Sequence, residues 1–172
     1  MSEIAACYTA AMNDAWQLSA MTTQTVPAFS ALVEEARLTV PKIPMFAEEA
    51  SISLMRVTEE CGIEITAPPV FVYTGAGTGE NDLFTMQVAF PVAPGTKFEG
   101  NDRVGMLEFE AFRCASFDFR GPMMHLGEAY PVAMNALQSE ELAAVEQSRE
   151  VYKYWVGYDS PENIVEIQLG IR

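Results

Sequence analysis

Histidine is almost missing from this sequence: His125 is the only one. That excludes a metal centre built on imidazoles, and no motif supplies other ligands at metal-binding spacing. Cysteine is scarce too. Cys7, Cys61 and Cys114 are odd in number and scattered, with no C-x-x-C pair. This argues against a disulfide framework and suits reduced, partly buried thiols. Positive charge is thin: 10 Lys and Arg stand against 24 Asp and Glu, a net charge of −14. Such a field repels phosphate backbones and anionic membranes, so neither direct nucleic-acid binding nor membrane association is expected. It attracts cations, small organic ones included. The first residues, "MSEIAACYTAAMNDAW", lack a basic n-region and are broken by Asn13 and Asp14. No signal peptide or membrane span is read, and a cytoplasmic protein is expected.

What is present is a good core and an internal repeat. With 172 residues and 49% apolar content, the chain suits one domain or two fused half-size modules. In the first half, "VPAFSALVEEARL" (26–38) reads as a strand. A helix follows over 45–61, with Phe46, Ala50, Leu54, Val57 and Cys61 at helical spacing and Gly62 as a stop. Then come "PVFVY" (69–73), the Gly-rich loop "TGAGTGEND" and the strand "LFTMQVAF" (83–90). The loop lacks the Lys-Ser/Thr of a phosphate-binding loop and reads as a flexible hairpin. Nothing calls for a cofactor.

The second half repeats that order. "VGMLEFEAFRCASFDF" (104–119) is extended, and a helix opens at Gly121-Pro122 with Leu126, Tyr130, Ala133 and Leu137 as its stripe and Pro131 as an expected kink. "REVYKYW" and "NIVEIQLGI" supply the last strands. A shift of 81 residues lays Pro41 on Pro122, Phe71 on Tyr152, Tyr73 on Tyr154 and Gln87 on Gln168. The same shift lays Met86, Val88 and Phe90 on Ile167, Leu169 and Ile171. The expected fold is α+β: tandem βαββ modules (16–92 and 103–172) related by a pseudo-twofold, with an antiparallel sheet, two main helices and a central groove. Pockets commonly form at such internal junctions.

The stretch "SREVYKYW" (148–155) places one acid among large rings. Strand alternation points Glu150, Tyr152 and Tyr154 one way and Val151, Lys153 and Trp155 the other. Glu150 fits either a solvated strand residue paired with Arg149 or Lys153, or the charged floor of an aromatic pocket.

The order "FRGP…LGEAY", "REVYKYW", the "DSPEN" turn and the closing "VEIQLGI" resembles the GyrI-like small-molecule-binding family, from about Trp16 to Arg172. That family includes the effector-binding domains of AraC-type and MerR-type multidrug regulators. The resemblance implies a groove for lipophilic, often cationic compounds, with Glu150 as counter-charge and Tyr152, Tyr154 and Trp155 as neighbouring rings. Only about fifteen residues precede the module, so a stand-alone member is expected rather than a complete transcription regulator.

The candidate ligand-binding residues are Glu150, Tyr152, Tyr154, Trp155, Tyr73, Phe71, Tyr130 and Glu166. Several have plainer readings. Phe71 suits core packing, Glu166 a solvent-facing charge, and His125 with Glu128 a surface pair three residues apart. Three functions stay open. The first is a binder of lipophilic cations that sequesters or senses them, alone or with a separate regulator, as monomer or homodimer. The second is a hydrolase of strained, cyclopropane-bearing electrophiles, using Glu150 with Tyr154. The third is an inhibitory module of gyrase-inhibitor type that binds a partner enzyme.

Overall fold

The computed structural model describes residues 11–12, 15–77 and 79–172. Cys7 lies outside them. Strands β1 (Ala11–Met12), β2 (Gln17–Leu18), β3 (Thr22–Val26) and β4 (Phe29–Leu38) lead into helix α1 (Ile43–Cys61). Strands β5 (Val70–Thr74), β6 (Phe84–Val92), β7 (Val104–Phe109) and β8 (Phe112–Arg120) follow. Helix α2 (Leu126–Ser139) and strands β9 (Ala144–Tyr154) and β10 (Ile164–Ile171) complete the chain. The fold is α+β, two strand–helix–strand–strand units sharing one antiparallel sheet. The sheet runs β1-β2-β8-β10-β9-β5-β6-β4-β7, with β3 also paired to β8.

Each helix forms because its apolar residues recur at three and four and find a sheet to cover. From α1, Phe46, Ala50, Leu54 and Val57 are buried, and Gly62 ends the helix at φ 64°, a conformation glycine adopts without strain. Cys61 departs from its expected place on this stripe: it is exposed at the helix end, where Thr58 takes the buried position. From α2, Leu126, Ala129, Ala133 and Leu137 are buried, and the helix runs through Pro131. The two helices cover two separate cores. Leu32, Leu54, Met86 and Val88 lie in the first; Phe117, Leu137, Ile167 and Leu169 lie in the second.

The 81-residue repeat is written into the hydrogen-bond registers. Leu38 pairs with Phe84 in the first half, and Phe119 pairs with Val165, 81 residues on, in the second. One strand departs from this. Tyr73 sits opposite Met86, but opposite Ile167, the counterpart of Met86, stands Glu150. The expected equivalences of Phe71 with Tyr152 and Tyr73 with Tyr154 are therefore corrected: β9 is advanced four residues relative to β5. The physical reason is a shorter connection from α2 to β9 than from α1 to β5, compensated by β9 and β10 running further past the Glu150–Ile167 pair before a connection of the same length. At the turns before the helices, Pro41 lies inside its 3-10 turn while Pro122 caps the later one.

Two predicted strands are each broken in two. Residues 26–38 divide at Pro27-Ala28, and 104–119 divide at Glu110-Ala111. The first break links β3, which pairs with β8, to β4, and the second links β7 to β8 itself, so both join the β8 side of the sheet to its far side, where β4 and β7 pair. Two residues span only about 7 Å, so the sheet must curl until those sides meet. The helices lie outside the curl.

Candidate functional site

Where the two units meet, β5 pairs with β9, and Val72 lies opposite Arg149. Their respective neighbours on the other side are Gln87 and Gln168, which the repeat also equates. The pseudo-twofold therefore passes through the Val72–Arg149 pair. Glu150 is the next residue, on the helix face. Its side chain is built into a hub. Tyr73 Oη donates to Oε2 at 2.9 Å, Tyr152 Oη donates to the same oxygen at 2.8 Å, and Tyr130 Oη donates to Oε1 at 2.5 Å. Tyr73 comes from the first unit, Tyr130 from α2 and Tyr152 from Glu150's own strand, two residues on.

Glu150 is 4% exposed. Burial pushes its carboxyl above the usual carboxylate range, and the phenol bonds pull it part of the way back. The tyrosines are shifted upward as well. Burial, then the adjacent Glu150, pushes Tyr73, Tyr130 and Tyr152 well above 10, so they remain neutral donors throughout the physiological range. Three neutral donors fill most of the acceptor capacity of an ionised carboxylate and bring no positive charge. The hub is polar, satisfied and without a counter-ion.

Rings lead outward from it. Phe71 tilts against Tyr152 at a centroid distance of 4.3 Å, and Trp155 meets the same ring edge-on at 5.9 Å. Tyr73 packs on Phe84 at 6.0 Å. Tyr152 touches both helix-covered cores and so bridges the two units. Trp155 is 50% exposed. A continuous aromatic path thus runs from solvent at Trp155, through Tyr152, to the acid.

The structure brings together Glu150, Tyr73, Tyr130, Tyr152, Phe71 and Trp155. It leaves two candidates apart. Tyr154 is 53% exposed at the end of β9 and is not among the partners of Glu150. Glu166 lies on the other sheet face, where Lys153 binds Oε2 at 2.8 Å and Gln24 and Gln168 donate to Oε1 at 2.7 and 2.8 Å. It is nearly buried there rather than solvated. His125 and Glu128 do pair, at 3.1 Å, and Glu128 also accepts from Trp16 Nε1 at 2.8 Å. Among the described residues no cluster of His, Cys, Asp and Glu could hold a metal ion, and no helix is long and apolar enough to cross a membrane. Sequence alone did not place the three phenols on one carboxylate. The signal was in the helical stripe: Tyr130 interrupts an otherwise small, apolar face.

No protein-family profile matches the sequence, and no curated protein matches it. Solved structures do share the fold. A cryo-EM structure of an EcmrR–DNA complex is similar over 91% of this chain at 15% identity and a TM-score of 0.74, and this chain spans 57% of that one. A crystal structure of the EcmrR C-terminal domain is similar over 89% of this chain and 97% of its own, at 17% identity and a TM-score of 0.70. SAV2435 bound to tetraphenylphosphonium is similar over 90% and 94% respectively, at 8% identity and a TM-score of 0.62.

Proposed function

We propose that the protein binds lipophilic organic cations over Glu150, as a member of the GyrI-like class of small-molecule binders. The observation that carries this reading is the hub: a carboxylate buried at the pseudo-twofold and solvated only by neutral phenols. A buried anion without a counter-charge loses several kcal/mol of solvation. A cation placed against it recovers part of that loss, and an aromatic wall adds roughly 0.5–2 kcal/mol per cation–π contact. The phenols hold the carboxylate ready without neutralising it, which an Arg or Lys partner would do. Trp155, Tyr152 and Phe71 supply flat surface for the ligand's apolar body. SAV2435, which shares the fold, was solved with the lipophilic cation tetraphenylphosphonium; that supports the ligand class. EcmrR shares the fold in a DNA complex, which supports a sensing role that works through DNA-binding machinery rather than through this acidic module itself.

The test is a crystal soaked with tetraphenylphosphonium. Density stacked between Trp155 and Tyr152, with its charged centre over Glu150, is the expected result. Density confined to other surfaces would overturn the reading.

A hydrolytic reading has one observation in its favour. Burial lifts Glu150 toward the range in which a carboxyl group both takes and gives protons, and a hydrolase from Listeria innocua shares the fold at 13% identity and a TM-score of 0.61. Catalysis would require water to replace a phenol on Glu150, and Tyr154 is exposed and not among the hydrogen-bond partners of Glu150. Turnover of a cyclopropane-bearing electrophile, lost in Glu150→Gln, would establish it.

A further inference from the structure

Trp155 reaches Tyr152 against the alternation of its strand. In a regular strand, residue 155 points away from residues 150 and 152, yet its ring meets Tyr152 edge-on at 5.9 Å. The register gives the cause. Val165 faces Tyr152, but Ile164 faces Tyr154, so Lys153 is an extra residue on β9. A bulge of this kind re-aims the side chains that follow it. It is anchored on the opposite face, where Lys153 Nζ binds Asp118 at 2.7 Å and Glu166 at 2.8 Å. The Tyr154–Ile164 pair ends the ladder, and Trp155 lies just beyond it. There the side chain of Asn163 takes over from the backbone. Asn163 is fully buried. Its Oδ1 accepts from Val156 N at 2.9 Å and from Gly157 N at 3.5 Å, and its Nδ2 donates to Gly157 O at 2.7 Å. One side-chain amide thus stands in for a peptide group of the ladder and fixes the two residues after Trp155.

We propose that Asn163 is a positioning residue of the ligand site: together with the Lys153 bulge it holds Trp155 against Tyr152 as a preformed aromatic wall, a role that rests on reading Glu150 as the cation site. The indole is half exposed and lies past the last ladder pair, so without the clamp a ligand would have to order it on binding, at a cost in affinity. The backbone around Asn163 is held as well. Its carbonyl accepts from Gly121 N at 3.2 Å, and the Tyr158 carbonyl accepts from Met123 N at 2.9 Å. Both bonds tie this turn to the segment that opens α2, the helix carrying Tyr130. Trp155 and Tyr130 are thereby set at fixed positions relative to Glu150 from opposite ends of one hydrogen-bonded turn. Ring contact serves charged and neutral ligands alike, so loss of the clamp weakens both, whereas loss of the Glu150 charge weakens the cation alone.

Fluorine NMR of ligand-free protein labelled with 5-fluorotryptophan tests this. The chain has two tryptophans, Trp16 and Trp155, and Trp155→Phe assigns their signals. In Asn163→Ala the Trp155 signal should shift and broaden, while that of the buried Trp16 remains one sharp line and shows the core intact. Tetraphenylphosphonium and a neutral compound of the same shape should each bind roughly two- to tenfold more weakly. Gly170→Ala, whose crowding falls on Val145 and Gln147 away from this turn, should change neither the Trp155 signal nor the affinities. An unchanged Trp155 signal in Asn163→Ala, unchanged affinities, or a loss confined to the cation overturns the proposal. Wild-type protein that binds neither compound overturns instead the reading of Glu150, and the fluorine spectra then decide by themselves whether Asn163 holds Trp155. Should Asn163→Ala fail to fold, Asn163→Asp, which keeps the size and removes the donor to Gly157 O, takes its place with the same expected outcomes.

Discussion

Tyr73 and Glu150 occupy the same register position in the two halves of the molecule, and they are bonded to each other. Tyr73 faces Met86, Glu150 faces Ile167, and the phenol donates to Oε2 at 2.9 Å. The repeat puts a donor on one side of its dyad and an acceptor on the other. The asymmetry comes from the four-residue advance of β9, an even number that keeps every side chain on its own face. The same advance sets Arg149, rather than Lys153, opposite Val72.

The three phenols should not be equivalent to packing rings. Each of Tyr73→Phe, Tyr130→Phe and Tyr152→Phe removes one bond to a charged acceptor, worth roughly 1.5–3 kcal/mol. Each substitution raises the Glu150 carboxyl further, so its destabilising effect is full where Glu150 is ionised and shrinks as the pH falls and Glu150 takes up a proton. Denaturant unfolding at pH 8 and at pH 4 measures the difference; a penalty equal at both would assign the rings to packing alone.

Glu150 itself imposes a pH dependence. Its folded carboxyl lies above the ordinary value of 4.5, chiefly through burial. The folded state therefore holds its proton to higher pH than the unfolded state. Stability falls as pH rises from about 4.5 through the folded value, and levels off above it. In Glu150→Gln that fall disappears. The amide oxygen takes over the bonds from Tyr73 and Tyr152, and the Tyr130 hydroxyl rotates to accept from the amide nitrogen. Unfolding free energies measured across pH 4–9 for both proteins should therefore diverge toward alkaline pH, with the variant the more stable relative to its acid value.

On the opposite face, Gly170→Ala should destabilise the fold by about 1–3 kcal/mol through overpacking. The new methyl group would sit 2.5 Å from Val145 Cγ2 and 2.7 Å from a backbone oxygen, and the backbone cannot yield as a side chain can. Cation affinity should be unchanged, because this face does not carry Glu150. A shift in denaturant midpoint with an unaltered cation titration is the expected pair of results.

Much of this architecture was legible from residue order. The helical stripes of Phe46 to Val57 and Leu126 to Leu137 and the alternation of Met86, Val88 and Phe90 are local patterns, and local patterns determine which face is buried. The offset of β9 was not legible. It depends on length traded between a loop and a hairpin, and a shift of 81 aligns Tyr73 with Tyr154 as plausibly as the true register aligns it with Glu150. The curl was hidden for a similar reason: two-residue breaks at Pro27-Ala28 and Glu110-Ala111 do not interrupt a strand pattern, yet they route the chain from one side of the sheet to the other. The acid among rings at 148–155 raised the right question, but its partners come from β5 and α2, which only the tertiary fold brings together.

Isothermal titration of tetraphenylphosphonium and of a neutral compound of the same shape, each into wild type and Glu150→Gln at pH 7, bears most directly on the central claim. Removing the carboxylate's charge while keeping its size should weaken the cation by roughly tenfold for each ~1.4 kcal/mol of attraction lost, and leave the neutral compound's affinity nearly unchanged. Trp155→Ala should weaken both ligands, since ring contact does not depend on charge alone. Unaltered cation affinity in Glu150→Gln, or an equal loss for the charged and neutral ligands, would contradict the account and leave Glu150 as a structural hub.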